Sequence, residues 1–383
     1  MVDLIAKADL LGQAAQYDLC AACGTRSMRQ RDDLGRWIYP AALPDGRRVM
    51  LFKVLLTNAC ERDCGYCANR SGRDGRRLAF TPDELAATFD ELLRRRLVTG
   101  LFLSSAVCGS ADQTMERMIT AIEIVRFKYQ FRGYVHLKIL PGVQRAAVER
   151  AAQLAQRVSV NIEAPNAERL LLLSASKRFE QDILQPMRWA REYMLARGTT
   201  TAGQTTQFVV GAAGEADREI LFTTSRLYRE LGLERAYFSA FQPVVGTPLE
   251  DHLPTPLLRE HRLYPSDFLL RQYGFAYEEL VFDTEGNLPL SADPKLQWAR
   301  QHPEWFPVEV NRADREALLR VPGIGPRSAR RILALRRRHS FRDLEALKHL
   351  GVTIQRAAPF VLLGGRRPLV QLPLWPVGPE APR

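Results

Sequence analysis

Three cysteines within eight residues constrain this chain more than any other feature. Cys60, Cys64 and Cys67 follow the spacing C-x3-C-x2-C, and Tyr66 stands directly before the last of them. Four cysteine thiolates close the coordination of a 4Fe–4S cluster, whereas three leave one iron without a protein ligand. An open coordination position is where a metal centre does chemistry. The spacing therefore favours a cluster that binds a further ligand.

A zinc site and a disulfide framework are the alternatives for this run. Zinc ligands usually come in pairs two residues apart and need a fourth Cys or His nearby. No histidine lies between Cys23 and His136, so that ligand would come from far away. A disulfide framework belongs to an oxidising compartment, whereas six cysteines with three in one motif fit a reducing cytosol.

The cysteine run resembles the signature of the radical S-adenosylmethionine (SAM) superfamily. In that superfamily SAM chelates the open iron, and an electron from the cluster cleaves SAM to a 5′-deoxyadenosyl radical. The resemblance implies a 4Fe–4S cluster and SAM as cofactors. It also implies an external electron donor such as flavodoxin or ferredoxin.

The charge of the chain is unevenly distributed. Residues 311–383 carry 15 Lys and Arg against 5 Asp and Glu, while residues 1–310 carry 39 against 38. A nearly neutral body with a strongly basic C-terminal module predicts a polyanionic partner, most simply nucleic acid. We expect a cytoplasmic protein without a membrane partner, because the chain has no long apolar run and no signal-peptide pattern.

Apolar segments alternate with amphipathic helices along the first two thirds of the chain. This alternation predicts parallel strands joined by right-handed crossovers. Six such units are too few for a closed eight-fold barrel. They fit the α/β partial (β/α)6 barrel, similar to a TIM barrel, that the resemblance implies, with a small all-α domain at the C-terminus. The predicted strands are Val49–Thr57, Gly100–Ser105, Tyr134–Leu140, Val158–Ile162, Gln207–Val210 and Ala236–Ala240.

Five segments follow from this pattern. The predicted divisions are an N-terminal extension packed on the barrel (1–48), the barrel (49–242), a connector packed on it (243–310), a nucleic-acid-binding module (311–367) and a disordered Pro-rich tail (368–383). Ligands of parallel barrels sit at the carboxyl ends of the strands, and the cysteine run follows the first strand.

Polar residues at the ends of other strands are candidates for binding SAM. Asn161 and Glu163 alternate onto one face of the fourth strand. By resemblance they bind the ribose hydroxyls or the carboxylate of SAM, and Tyr66 packs near the adenine. Ser104 and Ser105 stand where relatives have a Gly-rich segment for the SAM amino group; serines that merely close a strand are an equal alternative. Gln207 and Gln242 complete the predicted cofactor-binding set.

Three further cysteines are scattered along the chain. Cys20 and Cys23 form a pair, and Cys108 follows the second strand. A second cluster built from them is conceivable, but we favour small thiols in semi-buried loops.

A helix-hairpin-helix motif lies in the basic module. Two amphipathic helices flank the run Pro322-Gly323-Ile324-Gly325-Pro326, in which the glycines allow positive φ and Pro326 starts the second helix. The amides and dipole at that helix N-terminus suit a phosphate. A protein-docking hairpin is the alternative. A degenerate second copy follows in residues 341–352. The predicted nucleic-acid-binding residues are Gly323, Gly325, Arg327, Ser328, Arg330 and Arg331.

A short peptide in the tail resembles the segments by which bacterial repair proteins dock on the replication sliding clamp. The four positions that carry this resemblance are Gln371, Leu372, Leu374 and Trp375.

The combination of motifs over residues 5–367 resembles a bacterial family of radical SAM proteins named for DNA modification or repair. The resemblance implies a radical SAM enzyme that modifies or repairs nucleic acid, DNA rather than RNA. The alternatives are a radical SAM enzyme acting on tRNA or other RNA, and a non-enzymatic iron–sulfur protein that binds nucleic acid. The segments that carry the resemblance are the cysteine run, Val160–Asn166, Gln207–Gly214, Asp293–Lys295 and the hairpin.

Overall fold

The structure is a computed structural model that describes residues 4–15, 38–42, 48–198 and 203–368. It divides into two compact units: residues 1–264 with 284–287, and residues 265–283 with 288–383. The first unit contains a curled seven-stranded half-barrel sheet, and the second contains the helical hairpins.

The sheet of the first unit has its strands in chain order, β1 to β7. Six of them, β2 to β7, are parallel, as the alternation of strands and helices predicts. The strands are β1 (Ile38–Ala42), β2 (Arg48–Leu55), β3 (Gly100–Ser104), β4 (Tyr134–Lys138), β5 (Arg157–Ser159), β6 (Gly203–Val210) and β7 (Arg235–Ala240).

Helices fill the crossovers of this unit. The helix after β2 begins as predicted, because Thr81 and Glu84 cap each other's backbone N–H and Pro82 occupies the first turn. The helices are α1 (Leu4–Ala14), α2 (Pro82–Arg94), α3 (Ala111–Glu123), α4 (Arg145–Leu154), α5 (Ala167–Leu173), α6 (Gln185–Ala196) and α7 (Asp217–Leu231); α8 (Leu257–Phe268) crosses the boundary between the units.

The sheet differs from the prediction at three places. An antiparallel strand, β1, pairs with β2 in a segment predicted only as an extension. The fifth parallel strand in the prediction begins at Gln207, whereas β6 begins four residues earlier at Gly203. The strand predicted over Val158–Ile162 stops at Ser159, because the Thr206 hydroxyl donates to Val160 O and accepts from Ile162 N in place of ladder bonds.

The second unit is built around two short hairpins. Its elements are α9 (Pro294–Gln301), β8 (Val308–Glu309), α10 (Arg315–Arg320), α11 (Pro326–Leu335), α12 (Leu344–His349), α13 (Ile354–Ala357) and β9 (Val361–Leu362). Strands β8 and β9 pair in parallel and tie the two ends of the hairpin region together. The core of the hairpin region consists of apolar side chains from α10 to α13 and from the segments between them, including Leu318, Leu319, Ile324, Ile332 and Leu347.

Buried Arg320 organises a second cluster in this unit. Its side chain is 4% exposed and pairs with Glu279. The guanidinium lies 4.0 Å from the ring centroid of Phe275 and 4.9 Å from that of Trp298. A buried charge is tolerated when it is paired and stacked in this way.

Candidate functional site

The three cysteines lie on the loop that follows β2, at the carboxyl end of the first parallel strand. Two of the sulfurs already accept backbone N–H groups: Arg62 N lies 3.4 Å from Cys60 Sγ, and Asn69 N lies 3.4 Å from Cys67 Sγ. The backbone of the loop therefore directs amide donors at two of the three sulfurs.

The thiols also act on one another electrostatically. The pKa of Cys67 is raised to about 12, first by burial and then by the neighbouring Cys64 and Cys60 sulfurs. Thiolates gathered in this way need a cation to be stable together. Within the described ranges, no three His, Cys, Asp or Glu side chains converge on one point as a single metal ion requires. A 4Fe–4S cluster instead takes each thiolate on a separate iron.

Arg77 braces both ends of the cysteine loop. Its guanidinium donates to the carbonyl oxygens of Asn58 at 2.6 Å and Asn69 at 3.0 Å, which flank the triad. It also donates to the carbonyls of Arg70 at 2.9 Å and Arg73 at 2.7 Å. Four carbonyls on one guanidinium fix the loop before any ligand binds.

Asp63, inside the cysteine run, anchors the loop to the segment after α5. Its carboxylate accepts from the hydroxyls of Ser174 at 2.5 Å and Ser176 at 2.6 Å, and from the amides of Ala175 and Ser176. Burial works to raise the pKa of Asp63, but the two serine hydroxyls together with backbone hydrogen bonds outweigh it and lower the pKa. This contact was not predictable from the local sequence, because about 110 residues separate the partners.

Replacing Asp63 with alanine should loosen the cysteine loop. Two hydroxyls and two amides lose their acceptor, which should reduce the free energy of unfolding by about 1–3 kcal/mol. The measurement is denaturant unfolding of the apo chain, together with iron content after anaerobic reconstitution. The control is Asp74→Ala, since Asp74 is exposed nearby. Unchanged stability and iron content in the Asp63 variant would contradict this account.

A buried ion pair lies beside the cysteines. Lys177 Nζ is 3.5 Å from Glu163 Oε1, and both side chains are less than 10% exposed. Lys177 also lies 3.4 Å from Tyr66 Oη. Burial lowers the pKa of Lys177, but the charges of Cys64 and Glu163 outweigh burial, so the pKa of Lys177 is raised. Lys177 therefore stays positively charged beside the cysteine triad.

The backbone at Glu163 is held in an uncommon conformation. Its φ is +64°, in the left-handed region that non-glycine residues rarely adopt. Two hydrogen bonds to β6 hold it: Glu163 N donates to Gln207 O at 2.9 Å, and Val209 N donates to Glu163 O at 2.8 Å. Strain of this kind clusters at functional sites and persists only where the surroundings impose it.

Tyr66 joins this group directly. Its side chain is half-buried, and the Lys177 ammonium lies 5.8 Å from its ring centroid. Burial, followed by the charges of Glu163 and of the Cys64 and Cys67 sulfurs, raises the pKa of Tyr66 well above its ordinary value. Of the predicted cofactor-binding residues, Tyr66 and Glu163 are thus brought together beside the triad.

The remaining predicted residues are more dispersed. Ser104 and Asn161 are buried, and Gln207 is half-buried on β6. The Ser105 hydroxyl donates to Ala106 O at 2.7 Å. Gln242 is exposed, and its amide donates to Thr255 O at 3.2 Å. Roles for these five residues in binding SAM stay predictions.

Cys108 lies in the loop after β3 and is half-buried. Its amide donates to Thr114 Oγ1 at 3.1 Å, and the next amide, Gly109 N, donates to Glu61 in the cysteine loop. Cys20 and Cys23 lie outside the described residues, as does the clamp-docking peptide Gln371–Trp375.

The hairpin of the second unit consists, as predicted, of two helices, α10 and α11, joined by a short turn. Gly323 has φ +84°, and a Cβ there would lie 2.5 Å from Thr353 O, so only glycine fits. Gly325 is extended instead, with φ −101°, which corrects the expectation of positive φ at both glycines. The second copy is present as α12 and α13, with Gly351 at φ +85° in the matching place.

Three arginines line the exposed side of the hairpin. Arg327, Arg330 and Arg331 are exposed along the first turns of α11. Ser328 is 5% exposed, and its hydroxyl lies beside Gly351. Its role in binding phosphate stays a prediction.

A buried lysine contacts the turn of the hairpin. Lys295 Nζ donates to Ile324 O at 2.6 Å and lies 4.5 Å from the Tyr273 ring centroid. Burial lowers the pKa of Lys295 to about 7, although Asp293 acts in the opposite direction. The protonation state of Lys295 is thus coupled to the hairpin through the hydrogen bond to Ile324 O.

This shift predicts that the hairpin becomes more stable as the pH rises from about 7 to about 10. In that window the unfolded chain binds a proton at Lys295 that the folded chain has lost, so stability should rise by up to about 1.4 kcal/mol per pH unit. Hydrogen exchange of the α11 amides, corrected for intrinsic pH dependence, measures this effect. Lys295→Met should abolish the dependence, while Lys348→Met, at an exposed site, should retain it. A flat profile in the unmodified chain would refute the assignment.

Two known family models match segments of this chain. The model of the radical SAM superfamily matches residues 54–226, which span the cysteine loop, Glu163 and Lys177. The model of the helix-hairpin-helix motif matches residues 306–361. The chain contains a radical SAM domain followed by a helix-hairpin-helix domain. The domain over residues 54–226 is therefore of the radical SAM type.

Solved structures of radical SAM enzymes are similar to this chain at low identity. Methylornithine synthase (PylB) is 15% identical over 56% of this chain and 60% of its own, with a TM-score of 0.45. The FeFe-hydrogenase maturase HydG from Carboxydothermus hydrogenoformans is also 15% identical, over 56% of this chain and 50% of its own, with a TM-score of 0.45. The cobalamin-dependent radical SAM enzyme OxsB is 11% identical over 77% of this chain and 50% of its own, with a TM-score of 0.38.

These alignments span three fifths or less of the neighbours' own chains. At these identities and TM-scores the likeness says nothing about substrate. No curated protein matches the chain significantly. Among the described residues, no helix combines the length and apolarity needed to cross a membrane.

The radical SAM domain implies a 4Fe–4S cluster and SAM, and the residues present fit both. The cluster side is a set of three thiols in a loop that Arg77 and Asp63 hold in place. The SAM side offers a buried carboxylate, a buried ammonium and an aromatic ring in one group, Glu163, Lys177 and Tyr66. Such a group can bind the charged groups and the ribose hydroxyls of SAM.

Proposed function

We propose that this chain is a radical SAM enzyme that modifies or repairs nucleic acid, with DNA as the substrate. The observation that carries the proposal is the basic hairpin: three exposed arginines on the first turns of α11, within a module of net charge +10, on the same chain as the cysteine triad. Proteins that bind phosphate backbones concentrate Lys and Arg in this way.

In this proposal Cys60, Cys64 and Cys67 would hold the cluster, with SAM bound beside it. When bound, the two cofactors would supply the radical chemistry that removes a hydrogen atom from a base or sugar. An external electron donor such as flavodoxin or ferredoxin provides the electron, which fits a cytoplasmic enzyme.

The chain's own groups orient SAM and keep its charges paired. Lys177 is the cation for the SAM carboxylate, and Glu163 accepts from the ribose hydroxyls, with Tyr66 against the adenine. Asn161 and Gln207 contribute further hydrogen bonds to the ribose or carboxylate. In the same proposal Ser104 and Ser105 bind the amino group of SAM, and Gln242 contacts its adenine. Support for this arrangement comes from the burial and mutual contact of Glu163, Lys177 and Tyr66.

The hairpin then holds the phosphate backbone. The amides at the N-terminus of α11 and the dipole of that ten-residue helix favour an anion. Arg327, Arg330 and Arg331 add charge beside it. Contacts to phosphate position a protein without reading sequence, so the hairpin supplies affinity while the barrel selects the target.

Salt-dependent binding tests this role. The double variant Arg327→Gln/Arg330→Gln should bind duplex DNA more weakly and reduce the slope of log K against log salt by about 2, one per lost phosphate contact. Arg337→Gln/Arg338→Gln makes the same change in charge at exposed positions beyond the end of α11 and serves as the control. Equal slopes for both variants would exclude a hairpin-specific contact.

The same measurement, repeated with single-stranded DNA and tRNA, identifies the nucleic acid. Tighter binding to DNA supports the proposal. Tighter binding to tRNA would replace DNA with RNA as the substrate.

A further inference from the structure

One face of the sheet in the first unit carries polar side chains on every strand from β2 to β7. The opposite face is mostly apolar, with Phe52, Leu101, Val135, Val158 and Phe208 all at 0% exposure. Register across the parallel strands aligns the residues of the polar face in two rows. The first row is Lys53, Phe102, His136 and Arg157, and the second is Lys138, Ser159, Thr205 and Arg235.

Four of these eight residues are Lys or Arg. Lys53, His136 and Arg157 are each less than 10% exposed, and His136 Nε2 lies 2.9 Å from Ser159 Oγ. The pKa of His136 is far below its ordinary value, first because of burial and then because of Arg157, Lys53 and Lys138. These three charges therefore lie within electrostatic range of one ring. Arg157 pairs with Glu234 at 2.5 Å.

Aromatic rings alternate with these cations. The Lys53 ammonium lies 5.4 Å from the ring centroid of Tyr39 and 5.0 Å from that of Phe102. The Arg235 guanidinium lies 4.7 Å from the ring centroid of Tyr237. Phe102, Arg235 and Tyr237 are only half-buried, so this part of the polar face is accessible. Basic groups interleaved with rings are the arrangement by which proteins bind single nucleotides and stack their bases.

A buried hydroxyl stands in the middle of the second row. Thr205 is 1% exposed, and its Oγ1 has no hydrogen-bond partner among the described residues. Its neighbours in the row are Ser159 on one side and Arg235 on the other. A buried polar atom without a partner is unfavourable and indicates a ligand that completes it.

We propose that the polar face binds the phosphate of one nucleotide unit, with its base against the rings beside the cations. Thr205 and Ser159 donate to the phosphate oxygens, and Lys138, Arg157 and Arg235 balance its charge. Glu163 is four positions after Ser159 in the chain, which spans at most about 13 Å when extended. The bound unit thus lies on the same sheet as the SAM group. The inference rests on the proposed function and specifies it: the substrate enters as a single extruded nucleotide.

The test is calorimetric binding of deoxynucleoside monophosphates, deoxynucleosides and inorganic phosphate to the full chain. Thr205→Val removes the hydroxyl and keeps the shape. If the hydroxyl only filled space, this variant would bind like the unmodified chain and be at least as stable. We expect instead about tenfold weaker binding of the monophosphate with undiminished stability. Thr224→Val, which makes the same change at a buried hydroxyl that already donates to Ile220 O, should leave binding unchanged.

Lys138→Gln gives an independent reading of the same row. It should weaken monophosphate binding without affecting the nucleoside, while Lys128→Gln, at an exposed pair with Asp83, should have no effect. Monophosphate binding that is insensitive to both Thr205→Val and Lys138→Gln would overturn the inference. Inorganic phosphate binding as tightly as the monophosphate would overturn the role of the rings.

The outcomes separate this inference from the proposed function. Nucleotide binding that depends on Thr205, in a chain that changes no nucleic acid, would support the site and defeat the proposed function. If the chain modifies nucleic acid but Thr205→Val leaves monophosphate binding unchanged, the proposed function would be supported and the site would be defeated.

Discussion

Replacement of Cys64 with alanine is expected to leave the chain unable to hold its cluster. A cluster with three protein ligands cannot lose one without exposing a second iron, and second-shell changes alone reduce metal affinity by about 10–100-fold. Iron and sulfide content after anaerobic reconstitution should fall by more than that factor. Cleavage of SAM to 5′-deoxyadenosine should be lost with it.

Cys108→Ala is the matched control for this experiment. Cys108 is half-buried and lies on a different loop, so its loss should change neither iron content nor SAM cleavage. If Cys108→Ala removed about half of the iron, a second cluster that includes Cys20 and Cys23 would be indicated. Full iron content in the Cys64 variant would contradict the assignment of the triad.

Replacement of Lys177 with methionine should have the next largest effect. The change leaves the Glu163 carboxylate buried without its cation at 3.5 Å. Breaking a buried pair from one side costs about 3 kcal/mol or more, which corresponds to about a hundredfold in SAM affinity or cleavage. Lys177→Arg keeps the charge and should retain most of the activity.

Two readouts make this prediction specific. Iron content should stay near that of the unmodified chain, because Lys177 is not a thiolate ligand, while the formation of 5′-deoxyadenosine falls. A parallel loss of iron would mean that Lys177 only stabilises the cysteine loop. Unchanged SAM cleavage in the methionine variant would remove Lys177 from the site.

The features that the sequence made predictable are local ones. The cysteine spacing, the capping box of Thr81 and Glu84, and the Gly323 turn each depend on residues a few positions apart. The alternation of strands and helices, which is also a local pattern, predicted the parallel order of β2 to β7. Short-range steric and hydrogen-bonding rules are enough for such features.

The features that were missed depend on contacts between distant segments. Lys177 carries no motif, and only the path of the chain after α5 brings it to Tyr66, 111 residues away. The early end of β5 depends on the Thr206 hydroxyl of another strand. Strand β1 pairs antiparallel with β2, whereas the repeating alternation of strands and helices describes only parallel neighbours. Tertiary packing decides such details.

The most direct test of the central claim is isotope transfer from nucleic acid into 5′-deoxyadenosine. The anaerobically reconstituted chain is incubated with SAM, dithionite and DNA isolated from cells grown in deuterated medium. The account predicts 5′-deoxyadenosine that carries deuterium, and less of it from the Arg327→Gln/Arg330→Gln variant at elevated salt. If 5′-deoxyadenosine forms without deuterium from either DNA or equally labelled tRNA, the enzyme does not act on nucleic acid.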